Sequence, residues 1–137
     1  MIVPVTNKVL QDFLLVMYED EAANLAKLGG LSRLVSIVQH SQETFAAVVD
    51  GVPIYVGGVM PGGRLWMLGS PAAERAKKFF LRSTRAKVAE LHKIYPHLVV
   101  STPRDGRSMN WLRWLGFAPV AGQDNGPVVE LERFACA

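Results

Sequence analysis

The sequence predicts a single α+β domain over residues 1–137, α/β in the broad sense: a mixed, mostly antiparallel sheet with a parallel pair at its centre, flanked by helices. Three observations predict it. First, 137 residues, half of them hydrophobic and a fifth charged, suffice for one good core and hardly for two. Second, three strand-like runs between residues 44 and 68 are separated by Asp50-Gly51 and by Pro61-Gly62-Gly63. Turn pairs of this kind between β-branched runs mark an antiparallel meander. Third, a strand, a long helix and another strand follow, and a right-handed crossover of that form makes the two strands parallel.

Each element has its own local reason. Pro4 lacks a ladder donor, so the short run at Val3 reads as an edge strand. Thr6 or Asn7 caps a helix whose apolar residues Val9, Leu10, Phe13, Leu14 and Met17 recur at helical spacing. A second helix, Ala22 to Leu28, stops at Gly29-Gly30, and Leu31 to Val38, opening near Ser32, is a third short helix or an irregular turn. After the meander, Ser70 reads as an N-cap with Pro71 in the first turn of a helix reaching Ile94, whose core face is Ala76, Phe80, Thr84, Val88 and Leu91, flanked by Phe79. Pro96 ends it, and Leu98 to Ser101 is an apolar strand. A polar loop, Thr102 to Arg107, opens a helix from Ser108 to Leu115, stopped by Gly116. Phe117 to Val120 and Val128 to Phe134 are two last strands around the turn-rich 121–127 segment.

Composition excludes several classes. There is no apolar stretch near the roughly 20 residues that cross a bilayer and no basic start followed by an apolar run, so the expectation is an untargeted protein with no membrane partner. The single cysteine, Cys136, forbids an internal disulfide or a cysteine-rich metal site, and a reducing cytoplasm suits it. His40, His92 and His97 show no metal-ligand spacing, and no G-x-S-x-G elbow suggests a hydrolase. The net charge of +3 is uneven. Residues 1–63 carry three basic side chains against six acidic, residues 64–113 eleven against three, and the remainder one against three.

The element order, with the ending Trp111-Leu112-Arg113-Trp114-Leu115-Gly116-Phe117, resembles the three-layer GNAT acetyltransferase fold, whose last helix commonly ends in a Leu-Gly-Phe step. Asp50-Gly51-Val52-Pro53 running into Val56-Gly57-Gly58, then Leu65-Trp66 through Ser70, the basic helix and the Trp-Leu-Gly ending together look like the small GNAT-like proteins of short-tailed bacteriophages. The best-known members of that family are internal virion proteins. The likeness covers roughly residues 44–120. It implies a virion-associated or assembly protein, in the virion or the host cytoplasm, with other phage virion proteins or a host protein as partners.

A working GNAT carries a pyrophosphate loop of pattern Q/R-x-x-G-x-G/A, in which amides at a helix N-terminus bind phosphate. The corresponding residues are Leu68, Gly69, Ser70, Pro71, Ala72, Ala73 and Glu74, with Arg75 beside them. The second glycine is missing, Pro71 deletes a donor, and Glu74 adds a negative charge, though Ala72 and Ala73 leave the approach sterically open. The family's general acid is a tyrosine on the last helix, and four residues before Gly116 stands Leu112. Tyr18, Tyr55 and Tyr95 are the alternatives, and Glu43 or Asp50 the candidate bases. The resemblance thus implies a degenerate acetyl-CoA motif and no cofactor requirement, or, in the alternative, an active N-acyltransferase using acetyl-CoA held by Leu68, Gly69, Ser70, Ala72, Ala73 and Arg75.

Arg75, Lys78, Arg82 and Arg85 fall at i, i+3, i+7 and i+10, one face of the expected long helix. This is a solvated face or a docking face for an acidic partner, with Lys78, Arg82 and Arg85 as partner-binding candidates and non-specific DNA contact as one form of it. No base-stacking aromatic interleaves with the stripe, which argues against sequence-specific reading of nucleic acid. Trp111 and Trp114 share a helical face, either packed on the sheet or with one ring exposed as an interface anchor, and Trp66 is expected in the core. Gly57-Gly58 marks a bulge, crowded packing or a close approach by a ligand. The C-terminal strands and the Trp-bearing helix are compatible with a homo-dimer, against which Pro4 blunts an edge.

Overall fold

In the computed structural model, which describes residues 2–104, 106–124 and 126–136, seven strands form one sheet in the order β1-β2-β3-β4-β5-β7-β6. The strands are β1 (Ile2–Val3), β2 (Glu43–Val49), β3 (Val52–Met60), β4 (Arg64–Gly69), β5 (His97–Pro103), β6 (Ala118–Pro119) and β7 (Val128–Phe134). The helices are α1 (Asn7–Leu14), α2 (Glu19–Lys27), α3 (Leu31–His40), α4 (Ala72–Arg75), α5 (Lys77–Leu91) and α6 (Ser108–Trp114). β4 and β5 are parallel, with Arg64 opposite Val99, whereas β1–β2, β2–β3, β5–β7 and β6–β7 are antiparallel. The expected parallel pair therefore sits mid-sheet. Asp105 and Asn125, assigned by the sequence to a polar loop and to the last turn, lie outside the described residues.

The chain clusters into two compact units, Met1–Pro61 with Trp66–Leu81, and Gly62–Leu65 with Arg82–Ala137. In the first, Thr6 caps α1, its Oγ1 accepting the Val9 N–H at 3.2 Å. The helix buries Leu10 and Phe13, which join Met17, Leu25, Leu34, Ala46 and Val56 in one apolar cluster. α3 is a full helix, settling the alternative left by the sequence. Asp50 and Gly51 have φ of 52° and 76°, the paired left-handed conformation of a type I′ hairpin turn. On the other side of β3, Tyr55 is fully buried, with the rings of Phe45 and Phe80 edge-on at 6.3 and 5.6 Å. The double glycine is explained by crowding. A Cβ on Gly57 would stand 2.7 Å from Phe45, and one on Gly58 2.7 Å from both Glu43 O and Trp66 Nε1. Trp66 itself is only partly buried, its Nε1–H donating to Ser41 Oγ at 2.9 Å.

In the second unit β5 pairs with β7 along its whole length, from His97 opposite Phe134 to Pro103 opposite Val128. The strand thus runs two residues beyond the expected Ser101, because Thr102 is buried and pairs with Val129. Thr84, Val88 and Leu91 of α5, Leu112 of α6, and Leu115 and Phe117 after it supply buried side chains, and Gly116 ends α6 at φ 96°. β6 is a two-residue edge strand containing Pro119.

Two expectations around the long helix are corrected. The helix is not continuous from Pro71 to Ile94: Ala76, at φ −107° and ψ 41°, separates α4 from α5. α5 ends at Leu91, because Pro96 disfavours helical backbone at Tyr95 and the chain closes instead in a turn, with the Tyr95 amide on Leu91 O at 2.8 Å. Nor is Ser70 a side-chain N-cap; α4 has no side-chain cap.

Candidate functional site

The segment expected to meet a pyrophosphate runs from Leu68 at the end of β4 through α4. Ser70 is fully buried and faces inward. Its N–H donates to Ile54 O at 3.0 Å, and its Oγ lies 3.2 Å from both Pro53 O and Ile54 O, sharing one proton between them. The next amides close the turn on itself: Ala73 N–H donates to Ser70 O at 3.0 Å, Glu74 N–H to Pro71 O at 3.1 Å and Ala76 N–H to Ala72 O at 3.1 Å. Pro71 has no N–H. Between Ser70 and Glu74, Ala72 alone keeps an amide with no internal acceptor among the described residues. Ala72 and Ala73 are themselves buried.

Charge at this turn opposes an anion further. Glu74 Oε1 accepts from the Tyr18 hydroxyl at 3.0 Å, fixing a carboxylate in the first turn of α4, where the helix terminus would otherwise favour phosphate. Arg75 is exposed in the last turn of that four-residue helix. As a cradle for coenzyme A phosphates, the turn from Ser70 to Glu74 offers one amide and an opposing carboxylate. It does not fit the group well.

The acid and base candidates stay dispersed. Leu112, four residues before Gly116, is 2% exposed and packed in the core. Tyr18 is bound to Glu74, Tyr55 is enclosed by Phe45 and Phe80, and Tyr95 lies in the turn after α5. Asp50 occupies the hairpin turn, and Glu43 opens β2 opposite Val59.

The break at Ala76 puts Arg75 on α4 and leaves Lys78, Arg82 and Arg85 on α5, all exposed. The stripe is therefore shorter than expected. An aromatic does reach it: Arg85 Cζ lies 5.5 Å from the centroid of the Trp114 ring, which is 50% exposed. This corrects the expectation that no aromatic interleaves, and it decides which of the two α6 tryptophans faces solvent. Residues 85 and 114 are 29 positions apart, so no spacing rule could have joined them.

Two of the histidines make contacts within the second unit. His97 Nε2 is 2.8 Å from Glu132 Oε1, and its ring stacks on Phe134 at 4.4 Å. His92 Nδ1–H donates to Tyr95 O at 2.9 Å, which leaves Nε2 a buried acceptor without a partner. Burial holds the His92 pKa below the ordinary histidine value, with Arg133 and His97 adding repulsion. Among the described residues there is no group of three metal-ligating side chains, and no helix is long and apolar enough to cross a membrane.

Solved structures give this architecture a class. The chain is similar to the PaiA N-acetyltransferase of Thermoplasma acidophilum, solved with coenzyme A, with a TM-score of 0.70 at 12% identity over 98% of each chain. It is also similar to the ribosomal-protein-alanine N-acetyltransferase of Brucella melitensis, at 0.71 and 15% over 98% of this chain and 99% of that one. A GNAT-family acetyltransferase of Streptococcus pneumoniae matches at 0.63 and 11% over 99% of each. The fold is that of the GNAT N-acetyltransferases. No family model matches the sequence, and no curated protein does.

Proposed function

We propose that this chain is a GNAT-fold protein of short-tailed bacteriophages, a virion-associated or assembly protein that uses the fold as surface and does not transfer acetyl groups. The observation that carries the reading is the inward turn of Ser70, which spends amides that a pyrophosphate would need. Leu112 in the core, where the family places its acid, supports it. The virion role rests on the sequence likeness over residues 44–120.

The second reading is an acetyl-CoA-dependent N-acyltransferase acting on a host protein or metabolite. It draws on the acetyltransferases of this fold solved with coenzyme A and on the free Ala72 amide. Thiol release from acetyl-CoA, measured with a panel of amines and a host lysate, separates the two. The expected result is release at the uncatalysed rate, together with detection of the chain by mass spectrometry in purified particles. Release that is enzyme-dependent and saturable would replace the first reading by the second.

A further inference from the structure

The second unit concentrates the positive charge of the protein. It contains nine Lys and Arg against five Asp and Glu, whereas the first contains six against seven. Its described carboxylates have partners of their own: Glu130 pairs with Arg64 at 3.0 Å, Glu132 with His97 at 2.8 Å and Glu90, on α5 itself, with Lys87 at 3.4 Å, while Asp124 Oδ1 accepts the Gly126 N–H. Arg82, Arg85 and Arg113 are exposed and have no carboxylate partner among the described residues.

Arg82 and Arg85 are one helical turn apart on α5, so their guanidinium groups leave the same face. Trp114 supports that of Arg85. A planar guanidinium over an indole keeps its N–H edges free to take phosphate oxygens in the plane. The half-exposed indole offers apolar π-surface beside those edges, and Arg113 precedes it on α6. Repeated cations without counter-charge match a polyanion; an exposed aromatic among them matches one with stacking bases. An acidic polypeptide would use the cations and leave the ring unexplained.

We infer that Arg82, Arg85, Arg113 and Trp114 form a sequence-tolerant binding surface for single-stranded nucleic acid, with the arginines on successive phosphates and one base stacked on Trp114. The surface stands apart from the coenzyme question, since none of its residues lies in the 68–75 segment.

The test is fluorescence anisotropy with a fluorescein-labelled oligothymidylate of about 20 nucleotides, alongside duplex DNA and polyglutamate. Binding is expected to weaken on the order of tenfold between about 50 and about 200 mM salt, and each of Arg82→Ala, Arg85→Ala and Arg113→Ala to lower the salt slope by about 0.7. Trp114→Ala should weaken binding about tenfold and remove the quenching of tryptophan emission, while Trp114→Phe retains most of the affinity. All four residues are exposed, and circular dichroism with thermal melting verifies that the variants fold. Three results would overturn the inference: no binding at about 10 μM protein, wild-type affinity in Trp114→Ala and Arg85→Ala, or polyglutamate displacing the oligonucleotide at equal charge.

Discussion

Ser70 and Ile54 are joined twice: the carbonyl oxygen of Ile54 accepts the Ser70 N–H at 3.0 Å and shares the Ser70 hydroxyl proton at 3.2 Å. The two hydrogen bonds tie the end of β4 to the first residues of β3. They hold Ser70, just ahead of α4, fully buried.

Ser70→Ala should therefore cost stability, about 1–2 kcal/mol, since the Pro53 carbonyl loses a buried donor. Urea unfolding measures it. A change below about 0.3 kcal/mol would mean the hydroxyl contributes nothing to the turn.

Gly63 should be intolerant of any side chain. Its φ is 74°, a Cβ there would collide with His97 O, and its own carbonyl accepts the Val99 N–H at 2.9 Å in the parallel pairing. Left-handed strain and the clash together predict a loss of about 2–4 kcal/mol for Gly63→Ala. Gly62→Ala, with open space around its Cβ and φ 89°, should cost about 1–2 kcal/mol. Equal losses in the two variants would show that backbone conformation, and not the collision, sets the cost.

Gln123 stands in for a strand. Its Oε1 accepts the Glu130 N–H at 2.8 Å, and its Nε2 donates to Glu130 O and Val120 O, each at 2.9 Å, so the carboxamide pairs with β7 just beyond the two residues of β6. Gln123→Ala should destabilise by about 1–3 kcal/mol and raise self-association, by baring an edge that is otherwise blunted. Analytical ultracentrifugation of the variant against the wild type reads this. An unchanged sedimentation profile would locate edge protection in Pro119 alone.

His92 makes stability depend on pH in one direction. Its folded pKa is lowered, chiefly by burial, so the folded chain binds this proton less readily than the unfolded chain, whose value is about 6.5. Its contribution is complete above that value and is lost as the pH falls below it. Urea midpoints should drop between about pH 7 and pH 5, and His92→Gln should flatten the fall. An equally steep fall in the variant would assign the acid sensitivity elsewhere.

The fold was legible in the sequence because its strongest signals are local. Asp50-Gly51, Pro61-Gly62-Gly63 and the Thr6 cap each determine a turn or a helix start within a few residues, and all three stand where expected. The break at Ala76 was not legible, since alanine is the best helix former and nothing local marks an interruption. Ser70 misled for a related reason. A serine before Pro-Ala-Ala reads as a cap, but whether its hydroxyl turns to the helix or to β3 depends on carbonyls 16 and 17 residues away. The meeting of Arg85 with Trp114 is likewise tertiary.

Isothermal titration of the purified chain with acetyl-CoA tests the central claim most directly. With Ser70, Ala73 and Glu74 amides bonded internally and Glu74 fixed by Tyr18, the account predicts no binding tighter than about 1 mM. A micromolar dissociation constant, abolished by Ala72→Pro in a variant that still folds, would contradict it.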